Sequence, residues 1–175
     1  MKRILLLLIT TFALSSCDKD NDKPQNPLDK LPPATQTGAN TFGCLLDGNV
    51  FKPSNAPNSI NCFYQLVSGE YYFLVSVQRT INYNLVSIVL KTDKKQIFQG
   101  GIYQLYENID GNASGNYLFN LDISSTTLTN TGELKITKLD LVNQIVSGTF
   151  SFDIEDTNGV IHQIREGRFD MQFTQ

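Results

Sequence analysis

The chain has 175 residues and a formal net charge of −3, from 14 basic and 17 acidic side chains, with one histidine, three cysteines and no tryptophan. Nucleic-acid binding wants a concentrated basic face to neutralise phosphates, and this composition does not supply one. With the N-terminal Cys17 left aside, Cys44, Cys62 and the one histidine are three ligands, short of the four that a structural zinc site uses.

Lys2 and Arg3 form a short positive start, and Ile4 to Leu14 is a predominantly apolar stretch of eleven residues. That is the length of a signal-peptide core; a helix crossing a bilayer needs about 20 apolar residues. Leu14-Ser15-Ser16-Cys17 follows and resembles the lipobox of bacterial lipoproteins. The expectation is a signal peptide over 1–16, with Cys17 as the lipidated first residue of the mature protein. A diacylglyceryl cysteine carries two acyl chains, enough for stable anchoring at about 0.8 kcal/mol per buried CH₂. The expected partner is therefore a membrane, reached through Cys17.

Asp18-Lys19-Asp20-Asn21-Asp22 comes next. An acidic residue directly after the cysteine resembles the inner-membrane retention signal of enteric bacteria. A short acidic run there also resembles the surface-export signal of Bacteroidota lipoproteins. Removing Lys2 and Arg3 from the 14 basic residues leaves 12 against 17 acidic ones, so the mature chain is more acidic than the precursor. Residues 18–41 hold four of the six prolines (Pro24, Pro27, Pro32, Pro33) and little apolar material. Such a segment buries too little surface to offset its ordering entropy. Residues 17–41 therefore read as a lipidated, flexible, Pro-rich tether of roughly 75 Å reach at about 3.1 Å per residue. A single domain is expected over 42–175.

From Phe42 onward the pattern has period two, interrupted by turn residues every eight to twelve positions, the mark of an all-β sandwich or small barrel. Asp47-Gly48 predicts a first hairpin turn. Residues 62–68 and 71–78 flank Gly69-Glu70, and Tyr71, Phe73, Val75 and Val77 share one face. Asn84 to Thr92 is apolar on both faces and reads as a central strand. Gly101–Glu107 and Gly115–Ile123 follow, with Tyr117, Phe119 and Leu121 alternating along the second. Gly132–Leu139 pairs with Gln144–Glu155 around Asp140–Asn143, with Phe150, Phe152 and Ile154 on one side. After the turn at 156–159 comes a last arm, with Gly167 as a bulge before Phe169, Met171 and Phe173. The expectation is an antiparallel β-sandwich or small barrel of nine or ten mostly sequential strands.

Thr37-Gly38-Ala39-Asn40-Thr41-Phe42-Gly43-Cys44-Leu45-Leu46-Asp47-Gly48 resembles the opening of a family of uncharacterised Bacteroidota lipoproteins. Val146-Ser147-Gly148-Thr149-Phe150-Ser151-Phe152 and Glu166-Gly167-Arg168-Phe169-Asp170 resemble its close. The resemblance implies a β-rich domain and outer-membrane display rather than inner-membrane retention. It donates no active site.

Each chemical candidate has a plainer reading beside it. Cys44 and Cys62 are a candidate disulfide closing a loop of about 19 residues worth roughly 3 kcal/mol, or two small buried hydrophobes. His162 would have to serve any Ser-His-Asp triad, but no G-x-S-x-G elbow exists, and its parity with Val160 and Ile164 reads as structural. Asp153, Glu155 and Asp156 as paired carboxylates read equally as a solvated sheet face. Asp110, Asn112 and Ser114 with Gly115 match the first half of a calcium loop, but Leu121 stands where the bidentate glutamate belongs. The seven tyrosines are either a stacking surface for sugars or strand packing. No catalytic residue and no cofactor is expected. The sequence favours a non-enzymatic binding domain, then a structural accessory subunit of an envelope or surface complex, then a hydrolase.

Overall fold

The computed structural model describes residues 26–175. The expected signal peptide, Cys17 and the first part of the expected tether lie outside the described residues. Eleven strands follow one another: β1 (Thr41–Leu46), β2 (Asn49–Phe51), β3 (Ile60–Val67), β4 (Glu70–Ile81), β5 (Asn84–Thr92), β6 (Ile102–Leu105), β7 (Ala113–Phe119), β8 (Asp122–Ser125), β9 (Gly132–Asp140), β10 (Ile145–Glu155) and β11 (Ile161–Gln172). They form one sheet in the order β2-β1-β11-β10-β9-β6-β7-β5-β4-β3, with β8 alongside β7. All pairings between these strands are antiparallel except β6 with β7, which meet in parallel at Leu105 and Ala113.

The sheet doubles over so that its two halves face each other, a sandwich-like all-β fold. Phe73 of β4 lies against Phe169 of β11 with ring centroids 6.3 Å apart. Phe152 of β10 covers Gly115 of β7, leaving a Cβ there only 3.1 Å from the ring. The edge strand β3 meets the residues just beyond β11 at a single parallel bridge, Phe63 with Thr174, and the sheet does not close into a barrel. Period two explains which side chains face in: Phe73, Val75 and Val77 on β4, Phe150, Phe152 and Ile154 on β10, and Ile164, Phe169 and Met171 on β11 are all buried. Each such side chain contributes about 1.5–3 kcal/mol on leaving water. As expected for a central strand, β5 lies between β4 and β7 and buries Val86, Ile88 and Leu90.

Three sequence expectations change. The stretch 115–123 is not one strand: the chain reverses at Asn120, whose φ of +56° is a turn conformation that asparagine tolerates. Phe119 then pairs with Asp122, β8 becomes the eleventh strand, and Leu121 is an exposed turn residue. The bulge does fall at residues 165–167 of β11, but Glu166, not Gly167, takes the positive φ, at +54°.

The third change is the domain boundary. A single 3-10 turn over Pro27–Lys30 is capped by Asn26, and Lys52 Nζ donates to Lys30 O at 2.8 Å. Leu31 is buried. Pro32 presses onto Gly43 so closely that a Cβ there would lie 2.4 Å from its Cδ. Residues 31–40, expected to be flexible, are a strap laid across the outer side of β1, β11 and β10. Polar composition misleads here because the strap is held by hydrogen bonds rather than by its own apolar surface.

Candidate functional site

A cleft of about 630 Å³ opens at the end of the sandwich where β3 turns into β4. Ser68 and Gly69 form the two-residue turn with φ of +53° and +86°, the left-handed pair that joins hairpin strands without splaying them. That turn sets Tyr64 and Tyr71 side by side, stacked with centroids 5.4 Å apart. Tyr64 is buried at 5% exposure, and its edge meets the Phe173 ring at 5.9 Å. Its hydroxyl lies 3.4 Å from both Ile97 N and Ile97 O. Tyr103 accepts a hydrogen bond at 2.8 Å from Phe98 N, fixing the loop that forms the opposite wall. Burial pushes both phenols, Tyr64 and Tyr103, above their ordinary pKa. The remaining lining includes Gln65, Gln96, Gln175, Leu139 and Leu141.

At the other end His162 bridges two turns. Its Nδ1 is 2.7 Å from Asp47 Oδ2 and its Nε2 is 3.6 Å from Asp156 Oδ2. The imidazole rests on Tyr117 with centroids 4.6 Å apart. Asp47 Oδ1 also accepts from Gln163 N at 2.8 Å. Asp156 Oδ1 accepts from Asn158 N and Val160 N, each at 2.8 Å. Those bonds, led by the one from Val160, hold the Asp156 carboxyl below its ordinary range. Burial, followed by the two carboxylates, raises the Tyr117 phenol. Both ring nitrogens of His162 thus face carboxylates.

The third feature is Asp170, 1% exposed and the only buried acidic side chain among the described residues. It accepts from Thr35 Oγ1 at 2.6 Å, Thr37 N at 2.9 Å, Gly38 N at 2.8 Å, Ala39 N at 3.3 Å and Ser147 Oγ at 2.8 Å. Burial works against its charge, but the donors of Thr35, Thr37, Gly38 and Ser147 outweigh it and hold the carboxyl far below the ordinary aspartate range. A buried charge satisfied in this way is a clasp for the strap.

The candidates read from the sequence are dispersed. Cys44 and Cys62 form no disulfide; they are buried in opposite halves of the fold, on β1 and β3, as small apolar residues. Burial pushes each thiol up to about 12, where it stays protonated and unreactive near neutrality. In the calcium-like run Asp110 pairs with Lys94 Nζ at 2.5 Å. Asn112 donates to Glu107 O at 3.2 Å, and Ser114 is buried on β7. Among the described residues no three His, Cys, Asp or Glu side chains are grouped to hold a metal ion. Asp153 pairs with Arg165 at 2.5 Å, and Glu155 lies 3.4 Å from Asn130 Nδ2. Of the seven tyrosines, Tyr64 and Tyr71 line the cleft, Tyr103 and Tyr117 are buried, and Tyr83 is fully exposed on the β4–β5 turn.

Sequence reasoning missed the cleft's other residues. Leu66-Val67 and Leu141-Val142 did carry a signal, since each pair breaks the polar-apolar alternation beside a turn and is exposed. Gln65, Gln96 and Gln175 carried none. Comparison of the chain with protein-family models, with curated proteins and with solved structures finds no match.

Proposed function

We propose that this chain is a lipoprotein anchored through Cys17 in the bacterial envelope, with a non-enzymatic β domain that binds a ligand in the Tyr64–Tyr71 cleft. The outer membrane is the membrane favoured by the resemblance of the chain's two ends. The observation that carries the binding reading is the cleft itself: about 630 Å³, mostly apolar walls and a few polar groups, the make-up of small-molecule sites. The buried hydroxyl contacts of Tyr64 and Tyr103 support a preformed site, which lowers the ordering cost of binding.

The strap shortens the free tether. Asn26 is nine residues beyond Cys17, so at most roughly 3.5 Å per residue separates it from the anchor. The domain then lies within about 30 Å of the bilayer surface rather than at the end of a long leash.

The binding reading is tested by a thermal-shift screen of the mature chain, residues 17–175 with Cys17→Ser, against small apolar molecules, glycans and peptides. A ligand at 100 times its Kd stabilises by about 2.7 kcal/mol, and Leu141→Asp should abolish that gain. No shift with any compound would end the reading. Palmitate labelling of wild type but not of Cys17→Ser tests the anchor, and protease shaving of whole cells tests the membrane face.

A second reading, an accessory subunit docking on a partner, is favoured by the far end of the sandwich. Asn120 Oδ1 accepts from Leu85 N at 3.0 Å and its Nδ2 donates to Asn84 Oδ1 at 3.0 Å. Two turns are thereby set side by side, exposing Tyr83, Leu85, Phe119 and Leu121 together. Apolar patches of this kind are typical of interaction surfaces.

A further inference from the structure

Three features of the cleft bear on the chemistry of its occupant. First, no lining residue has a charged side chain; the hydrogen-bonding side chains are the carboxamides of Gln65, Gln96 and Gln175 and the tyrosine hydroxyls. A carboxylate drawn into such a site would lose water without gaining a counter-charge, which is strongly unfavourable. Second, the rim is hydrocarbon: Leu66, Val67, Phe98 and Leu141 are all exposed around the opening. A polyol would have to strip many hydroxyls of water against these side chains with only a few amides to receive them. Third, the floor is rigid and flat, since Tyr71 stacks on a Tyr64 ring that is itself fixed by Phe173 and by Ile97.

Resting on the binding reading above, we infer that the cleft takes a non-anionic ligand with an apolar body and a hydrogen-bonding end, of the long-chain alcohol type. The apolar body lies between the Tyr71 ring and the Phe98–Leu141 rim, and the polar end meets the glutamines. The gain is burial of the four exposed rim side chains, at roughly 25 cal/mol per Å².

The test is calorimetric titration of the mature chain, residues 17–175 with Cys17→Ser, with decanol, decanoate and cellobiose. The first two share one hydrocarbon chain and differ in head charge; the third is a polyol. Decanol is expected to bind at least roughly tenfold tighter than decanoate, a difference of about 1.4 kcal/mol, and cellobiose not at all. Tyr71→Ala and Leu141→Asp should each weaken decanol at least roughly tenfold, while Tyr83→Ala on the far turn should leave it unchanged. Leu141 is exposed, so its variant separates loss of the site from loss of the fold, and circular dichroism melts check both. Binding of decanoate as tight as that of decanol, or binding of cellobiose lost in the Leu141 variant, would overturn the non-anionic apolar class and leave the cleft a binding site. Silence from all three probes would overturn the class, and a simultaneous failure of the wider screen would overturn the cleft as well.

Discussion

Gly38 donates its backbone N–H to Asp170 Oδ1 at 2.8 Å, joining positions 132 residues apart. Thr37, Gly38 and Ala39 come from the opening stretch that resembles the lipoprotein family, while Ser147 and Asp170 come from its closing stretches. All of them converge on one buried carboxylate. Together they clasp the strap onto β10 and β11. Asp170→Asn keeps the shape but turns an NH₂ toward these donors. Hydrogen bonds to charged groups contribute about 1.5–3 kcal/mol, so the variant should lose about 2–3 kcal/mol in urea denaturation. Asp29→Asn on the exposed 3-10 turn should stay within about 0.5 kcal/mol of wild type.

The same clasp has a pH signature. The folded pKa of Asp170 is depressed, so its stabilisation is fully present above the unfolded-state value of about 3.9 and is lost as pH falls toward the folded value. The gap in melting temperature between wild type and Asp170→Asn should be constant from neutrality to about pH 5 and narrow below about pH 4. A gap that widens on acidification would contradict the clasp.

Strand periodicity was legible in the sequence because core packing enforces it: Phe73, Val75 and Val77, then Phe150, Phe152 and Ile154, are buried as their parity requires. The strap was not legible, since its binding energy resides in Asp170, over a hundred residues later. The reversal at Asn120 was hidden because Leu121 continues the alternation of Tyr117 and Phe119 while pointing into solvent. His162 could be read as structural from its parity, but its partners Asp47 and Asp156 emerge only when two hairpin turns meet. The cleft is hardest of all to foresee, because its walls come from the β3–β4 turn, the loop before β6 and the end of β9, and no local pattern joins them.

His162 is expected to act as a clamp between turns. His162→Ala removes the 2.7 Å contact to Asp47 and the stack on Tyr117. A loss of about 1–2 kcal/mol is expected, with faster amide exchange at Gly48 and Asn158 and no change at Gly69. Uniform exchange across both ends of the sandwich would show that the histidine does not act locally.

The cysteines give a direct chemical readout. With both thiols free, buried and raised to about 12, Ellman's reagent should find no reactive thiol in the folded, non-reduced chain of residues 17–175 carrying Cys17→Ser. It should find both after guanidinium denaturation without reductant. Zero thiols in the denatured chain would mean that a Cys44–Cys62 disulfide forms. Cys44→Ala should cost less than Cys44→Ser, because a buried hydroxyl without a partner adds about 1–3 kcal/mol.

The bulge in β11 supplies a pair of neighbouring substitutions with opposite signs. Gly167 has an ordinary strand φ, so its missing side chain is a matter of space: a Cβ would stand 2.5 Å from the Phe150 ring. Phe150 is itself wedged between Phe42 and Phe169 and has little room to retreat, so Gly167→Ala should destabilise by about 1–3 kcal/mol through overpacking. Glu166 carries the left-handed φ of +54°, a conformation that costs a residue with a Cβ roughly 1–2 kcal/mol and glycine almost nothing. Its only ion pair, with Arg168 at 3.7 Å, is exposed and contributes at most about 1 kcal/mol. Glu166→Gly should therefore cost nothing, or stabilise by up to about 1 kcal/mol. Chemical denaturation of the two variants against wild type checks both signs, and a tolerated Gly167→Ala would mean that the Phe150 ring does not limit the space at position 167.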